Sequence, residues 1–319
     1  MRYTHWSRYT HWSLKAAAAA ALSVAIVGCE SQTPQPADSP LADSTRANAL
    51  SAMHGEALAH VKYLAYATAA QQAGRAQAAQ AFTSAAQTEL SDHFAAEADL
   101  IGFGGDTADS LRDAISGETG ETDTMYPEFA KQAAADNDPA AAALFTEIGA
   151  DEATHAKDFT TALTTVTNPG AAGAVPAGAT TAPVAITAGP PRSSGTTLAN
   201  LRTAMQGEAF AYAKYMRYAD QARRDGNAPV AQLLTDTANV ELNEHFAELA
   251  TLAGLVSPDT NANLTDAITG EQHEAEVMYP DYAGQADQAG NPQAASLFRE
   301  IGSDEQAHQQ AFETARTTA

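Results

Sequence analysis

Along residues 45 to 166 the apolar side chains return every third or fourth position rather than every second, as in ALSAMHGEALAHVKYLAYATAA (49–70). That is the period of a helix with one buried face, and it predicts four helices near 45–74, 76–101, 108–136 and 139–165. A second set follows near 198–226, 228–253, 261–289 and 292–316. Gly74, Gly226, Asn137 with Pro139, and Asn291 with Pro292 supply the breaks. Pro127 and Pro280 fall inside the third helix of each set, where a missing N–H and a ring against the preceding turn predict a kink. The glycine-rich IGFGGDTAD (101–109) is expected to belong to the long crossover that some four-helix bundles use. The fold class is all-α.

The two sets are copies. MHGEALAHVKY (53–63) answers MQGEAFAYAKY (205–215), ELSDHFAAEADLIG (89–102) answers ELNEHFAELATLAG (241–254), and GETGETDTMYPEF (117–129) answers GEQHEAEVMYPDY (270–282). A repeat of this length is a duplicated domain, not a solenoid unit. Two four-helix domains are therefore expected at 45–166 and 198–317, joined by TNPGAAGAVPAGATTAPVAITAGPPRSSGTT, a Pro/Gly/Ala/Thr linker over 167–197.

Ahead of them, Arg2, Arg8 and Lys15 precede AAAAAALSVAIVG, an apolar run too short to span a bilayer but suited to a leader peptide. It ends in IVGC, which resembles a bacterial lipobox with Cys29 as the lipid-attachment residue. Residues 1–28 then read as a signal peptide and 29–44 as a tether, giving an extracytoplasmic protein held to a bacterial membrane by lipid. Cys29 is the sole cysteine of the sequence, so no disulfide, thiolate metal site or cysteine nucleophile is expected in the mature chain. The net charge of -22, from only 17 Lys and Arg against 39 Asp and Glu, excludes a nucleic-acid surface.

Some of those acids are placed for chemistry. On a helix, residues three apart differ by about 60° in azimuth and residues four apart by about 40°, so either spacing presents two side chains on one face. Glu152 with His155 and Glu305 with His308 use the first spacing; Glu89 with His93 and Glu241 with His245 use the second. These four histidines recur between the repeats with their glutamates, whereas His54, His60 and His273 face Gln206, Tyr212 and Gly120 and read as solvated. Glu56 and Glu208 lie amid apolar residues, where an unpaired carboxylate is costly to bury. Glu118 with Glu121, and Glu271 with Glu274, put two carboxylates on one face, where they repel without a cation between them. A glutamate from each of two helices plus a glutamate–histidine pair from each of the other two is the ligand set of a dinuclear iron or manganese site in a four-helix bundle.

With E-x-x-E followed by M-Y-P in GETGETDTMYPEFAK, the sequence resembles the rubrerythrin branch of the ferritin-like family over about 240 residues. The resemblance implies two ferritin-like bundles and two dinuclear iron centres. Glu56, Glu89, Glu118, Glu121, Glu152 and His155 would ligate one pair; Glu208, Glu241, Glu271, Glu274, Glu305 and His308 would ligate the other. His93 and His245 would replace the extra third-helix carboxylate in the reduced state, and Tyr63, Tyr126, Tyr215 and Tyr279 match tyrosines that orient ligands. It further implies reduction of hydrogen peroxide with electrons from an external donor, with oxygen-dependent ferroxidase or iron handling, or a metal-stabilised interaction module, as alternatives. Such bundles generally pair, so an internal pseudo-dimer is expected. Two departures stand out: rubrerythrins usually write the second-helix pair as E-x-x-H, whereas Leu90 and Leu242 occupy that glutamate position here, and they commonly carry a cysteine-ligated rubredoxin iron that one cysteine cannot build.

Overall fold

The structure, a computed structural model, describes residues 40–168, 170 and 173–318; the leader and Cys29 lie outside the described residues. Eight helical rods and no strand occur among the described residues. They are α1 (Asp43–Gln72), α2 (76–101), α3 (107–135), α4 (Pro139–Thr167), α5 (Gly195–Arg224), α6 (228–253), α7 (260–288) and α8 (Pro292–Thr317). None is long and apolar enough to cross a membrane.

The predicted breaks hold, and each has a local cause. Asn137 and Gly290 take φ of 59° and 74°, Asp106 and Asp138 accept hydrogen bonds from the first free N–H groups of α3 and α4, and Pro139 and Pro292 open their helices, where no N–H is needed. Four rods contain a π turn: Glu89–Phe94 in α2, Glu121–Met125 in α3, Glu241–Phe246 in α6 and Glu274–Met278 in α7. Pro127 and Pro280 come two residues after the π turns of α3 and α7 end, so the missing N–H and the ring fall where the regular winding is already interrupted.

The packing corrects the expected domain plan. Rods α1 and α2 of the first repeat pack against α7 and α8 of the second, while α3 and α4 pack against α5 and α6. Each bundle therefore draws one hairpin from each repeat. Its core mixes them: Met53 and Phe94 pack with Tyr279 and Phe298 in the first bundle, and Tyr126 and Phe145 with Met205 and Phe246 in the second. The physical reason lies in the connections. Only residues 102–106 separate α2 from α3, too few to return across a bundle, so the chain passes into the neighbouring one. There Phe103 stacks on Tyr218 at 5.5 Å, and Gly104, at φ 96°, approaches that ring so closely that a Cβ would lie 2.7 Å from it. IGFGGDTAD is thus the hand-over between bundles, not a long crossover.

The long crossover is the segment expected to be an interdomain linker, since α4 and α5 belong to the same bundle. It runs as a strap along α6, with the N–H groups of Val184, Gly189 and Arg192 donating to the carbonyls of Asn243, Val256 and Leu252. Thr187 N–H donates to Thr251 Oγ1 and Ser193 to Asp138. Gly254 is required beneath it, because a Cβ there would meet the Pro191 nitrogen at 2.3 Å.

The bundles meet along α1 and α5, where His54 stacks on Phe210 at 3.7 Å and His60 lies parallel to Tyr212. His60 is not solvated as its lack of a counterpart suggested: it is buried and donates from Nδ1 to the Ala86 carbonyl. His54 is half-buried, and burial followed by the charge of Lys214 brings its pKa down to about 4. Of these three, His273 alone is exposed.

A protease site inserted at the exposed Gly170 should therefore cut the chain into two pieces that still co-elute on gel filtration and separate only in denaturant. Two halves migrating apart in native buffer would contradict the hairpin exchange.

Candidate metal centres

Each bundle gathers seven of the predicted donors at its middle. In the first, Glu56 comes from α1, Glu89 and His93 from α2, Glu271 and Glu274 from α7, and Glu305 and His308 from α8. In the second, Glu208 comes from α5, Glu241 and His245 from α6, Glu118 and Glu121 from α3, and Glu152 and His155 from α4. The repeat-by-repeat allotment is thus overturned: Glu56 and Glu89 share a site with Glu305 and His308, not with Glu152 and His155.

Within each site the donors fall into two overlapping groups. Glu56, Glu89, His93 and Glu305 form one group of the first site, and Glu89, Glu271, Glu305 and His308 the other, with donor atoms within 4.8 Å of one another. Glu89 and Glu305 belong to both. His93 Nδ1 stands 2.9 Å from Glu89 and 3.0 Å from Glu305; His308 Nδ1 stands 3.1 Å from Glu89 and 3.0 Å from Glu305. In the second site Glu152 and Glu241 have this shared place, 3.1 and 2.8 Å from His245 Nδ1 and 2.8 and 3.2 Å from His155 Nδ1. Two nitrogens facing each other across two shared carboxylates form a donor set that would suit two cations.

The π turns place the second-helix pairs. Glu89 with His93 and Glu241 with His245 are written with one more residue between them than the E-x-x-H pattern, yet both members face the cluster from within a π turn. His93 Nε2 and His245 Nε2 point away, 3.5 Å from Asp304 and Asp151. Nδ1 of each histidine is thus the nitrogen turned to the carboxylates, and Nε2 the one turned to the rim of the bundle.

The four tyrosines each donate to a site glutamate of the other repeat. Tyr63 reaches Glu271, Tyr279 reaches Glu56, Tyr215 reaches Glu118 and Tyr126 reaches Glu208. Glu274 and Glu121 stand apart from the four-donor groups: each sends Oε1 towards a glycine, Gly55 at 3.7 Å and Gly207 at 3.6 Å as measured to a Cβ built there.

Burial makes these charges costly and shifts their titration. It pushes Glu56 up to about 7 and Glu208 up to about 8, and raises Glu118, Glu121, Glu274 and Glu305 well above the usual carboxylate range. Burial would raise Glu89 as well, but the two imidazoles of His308 and His93 beside it bring it down to about 2. Burial would lower His308, but Glu271, Glu305 and Glu89 push it up to about 12. Glu56 Oε2, Glu89 Oε1, Glu271 Oε2 and Glu305 Oε1 have no hydrogen-bond donor, and neither do Glu118 Oε2, Glu152 Oε1 and Glu241 Oε1; histidine nitrogens approach several of them as ion pairs only. Buried oxygens that converge without donors fit a cation, since each such ion otherwise costs on the order of several kcal/mol to desolvate.

Three participants were not singled out from the sequence. Lys62 and Lys214, matched between the repeats, pair with Asp266 at 3.2 Å and Asp113 at 3.4 Å, and their charge partly offsets the rise at Glu274 and Glu121. Recurrence of the lysine in both repeats was the available signal. Glu97 is fully buried beside the first site, and its counterpart is Leu249, so recurrence could not reveal it.

The sequence pattern of the rubrerythrin family matches residues 48–163 and again 199–316. Rubrerythrin from Nitratidesulfovibrio vulgaris strain Hildenborough is 33% identical over 126 residues, which cover 35% of this chain and 65% of that protein. Nigerythrin from the same organism is 33% identical over 130 residues, covering 37% and 64%. Rubrerythrin from Clostridium perfringens is 30% identical over 131 residues, covering 36% and 67%. The chain thus spans just under two thirds of the length of the first two, and no solved structure gives a significant match. Matched twice over most of its length and carrying the carboxylate–histidine clusters described above, the chain belongs to the rubrerythrin family.

Proposed function

We propose that the protein is a diiron redox protein that reduces hydrogen peroxide with electrons from an external donor. The observation that carries this reading is the relation of His93 and His245 to Glu274 and Glu121. Both histidines lie inside the donor groups, while the surplus carboxylates wait beside Gly55 and Gly207. A neutral imidazole suits a reduced ion, and an added carboxylate suits the more highly charged oxidised one, so each centre owns a donor for either state. Bound as a ferrous pair, the metal supplies two electrons, the number that takes hydrogen peroxide and two protons to two waters. The protein keeps the site dry, fixes Glu56, Glu208, Glu118 and Glu271 by tyrosine hydroxyls, and places a lysine near the surplus carboxylate. The same donors suit manganese.

The single cysteine of the sequence supports an external donor, since a cysteine-bound iron takes several thiolates. The exchanged hairpins support an internal pseudo-dimer, with each repeat in the place of one subunit. The IVGC motif supports a protein outside the cytoplasm, lipid-anchored at Cys29.

Three outcomes test this reading. The chain should take up about four first-row metal ions. Glu152→Ala with Glu241→Ala should lose about half of them, whereas Glu89→Ala with Glu152→Ala should damage both centres although both residues lie in the first repeat; elemental analysis of the purified variants decides. In stopped-flow absorbance the diferrous protein should oxidise faster with hydrogen peroxide than with oxygen, and Glu121→Ala with Glu274→Ala should narrow the difference; a large advantage for oxygen with turnover of free ferrous iron would favour the ferroxidase reading. Cys29→Ser should shift the protein into the soluble or unprocessed fraction, and undiminished retention after a carbonate wash would remove the anchor.

A further inference from the structure

The two centres repeat each other ligand for ligand, but their surroundings differ at one buried acid. Glu97 lies in α2, 0% exposed, and its counterpart in α6 is Leu249, equally buried and in the same apolar cluster as Tyr126. Glu97 Oε1 stands 3.1 Å from the Tyr279 hydroxyl, which is also hydrogen-bonded to Glu56 Oε1. Tyr126, in the equivalent place, has its hydrogen bond to Glu208 and shares its apolar cluster with Leu249, which offers no polar group.

A phenol has one proton. Given to Glu56, it leaves the 3.1 Å contact to be made by a proton on Glu97, with the phenolic oxygen accepting. Burial holds the Glu97 carboxyl well above the usual range, and the charge of Glu56 adds to the effect, so a neutral acid is the form this position favours. The result is a directed chain from the Glu97 acid to the Tyr279 hydroxyl to the Glu56 carboxylate. Consecutive hydrogen bonds polarise one another, so a phenol that accepts from an acid donates more strongly. Glu56 is therefore a poorer donor to a cation than Glu208.

We propose that Glu97, acting through Tyr279 as a positioning residue, makes the two metal centres inequivalent, leaving the ion position at Glu56 and His93 the weakest of the four. The inference rests on the metal-binding reading. The two centres then fill in order, the one built on Glu208 first.

Cobalt(II) is a suitable probe, because its visible absorption reports coordination apart from any turnover. Titrated into the full chain, it should bind in two classes, the weaker about one ion per chain. Glu97→Leu, which copies the other site, should tighten that class by about tenfold and merge the two, the scale on which groups behind metal ligands act. Glu97→Gln keeps an N–H donor for Tyr279 and should preserve both classes. Leu249→Glu should create a second weak position, with a change in the spectrum of the other centre. A single class that Glu97→Leu leaves unmoved, or a loss of affinity in that variant, overturns the inference while leaving the metal centres standing. A chain that binds no cobalt or iron overturns both.

Discussion

Everything in this protein is built around shared, buried carboxylates. Glu89 with Glu305, and Glu152 with Glu241, each touch both histidines of their site, and each pair joins one residue from either repeat. A carboxylate in a dry interior must be matched by a proton, a hydrogen bond or a cation. Neither repeat can supply the match alone, because each donor set takes three residues from one repeat and four from the other. The helix exchange and the charge problem are one constraint seen twice.

The chain meets that constraint with the lengths of its connections. Five residues between α2 and α3 forbid a return to the same bundle, and the long strap after α4 permits one. The contiguous bundle, α3 to α6, is therefore not a repeat but the second half of one and the first half of the next. The strap is fixed by backbone bonds to α6 and by the glycine that lets Pro191 lie against residue 254. Composition marked this segment as a linker, and in sequence it is one; in space it is a structural part of the bundle it crosses.

The helices, their ends and the acids and histidines that gather in the two clusters were legible in the sequence because they rest on local rules: apolar period, caps, and glutamate–histidine spacing seen twice. The pairing of hairpins was not, since Glu56 and Glu208, or Glu152 and Glu305, are interchangeable by residue type. A duplicated sequence makes exchange within and between copies look alike, and only the short α2–α3 connection carried the difference. The π turns were hidden because E-x-x-x-H also fits an ordinary helix face. His60 has no counterpart in the second repeat and is nevertheless buried, because it faces α5.

Unmatched residues such as His60 reflect what joining two copies in one chain permits. In a symmetric homodimer every substitution appears at both sites. Here His54, His60 and Glu97, opposite Gln206, Tyr212 and Leu249, all lie in α1 and α2 and so belong to one bundle and its seam with the other. Their surroundings depart while the ligands do not: each centre keeps its five glutamates and two histidines, and the tyrosines keep their partners. The metal-facing layer is held by charge balance, which tolerates little change. The layer behind it is held by packing, where a leucine and a protonated glutamate fill similar space, and it is there that two otherwise equal centres can acquire different affinities.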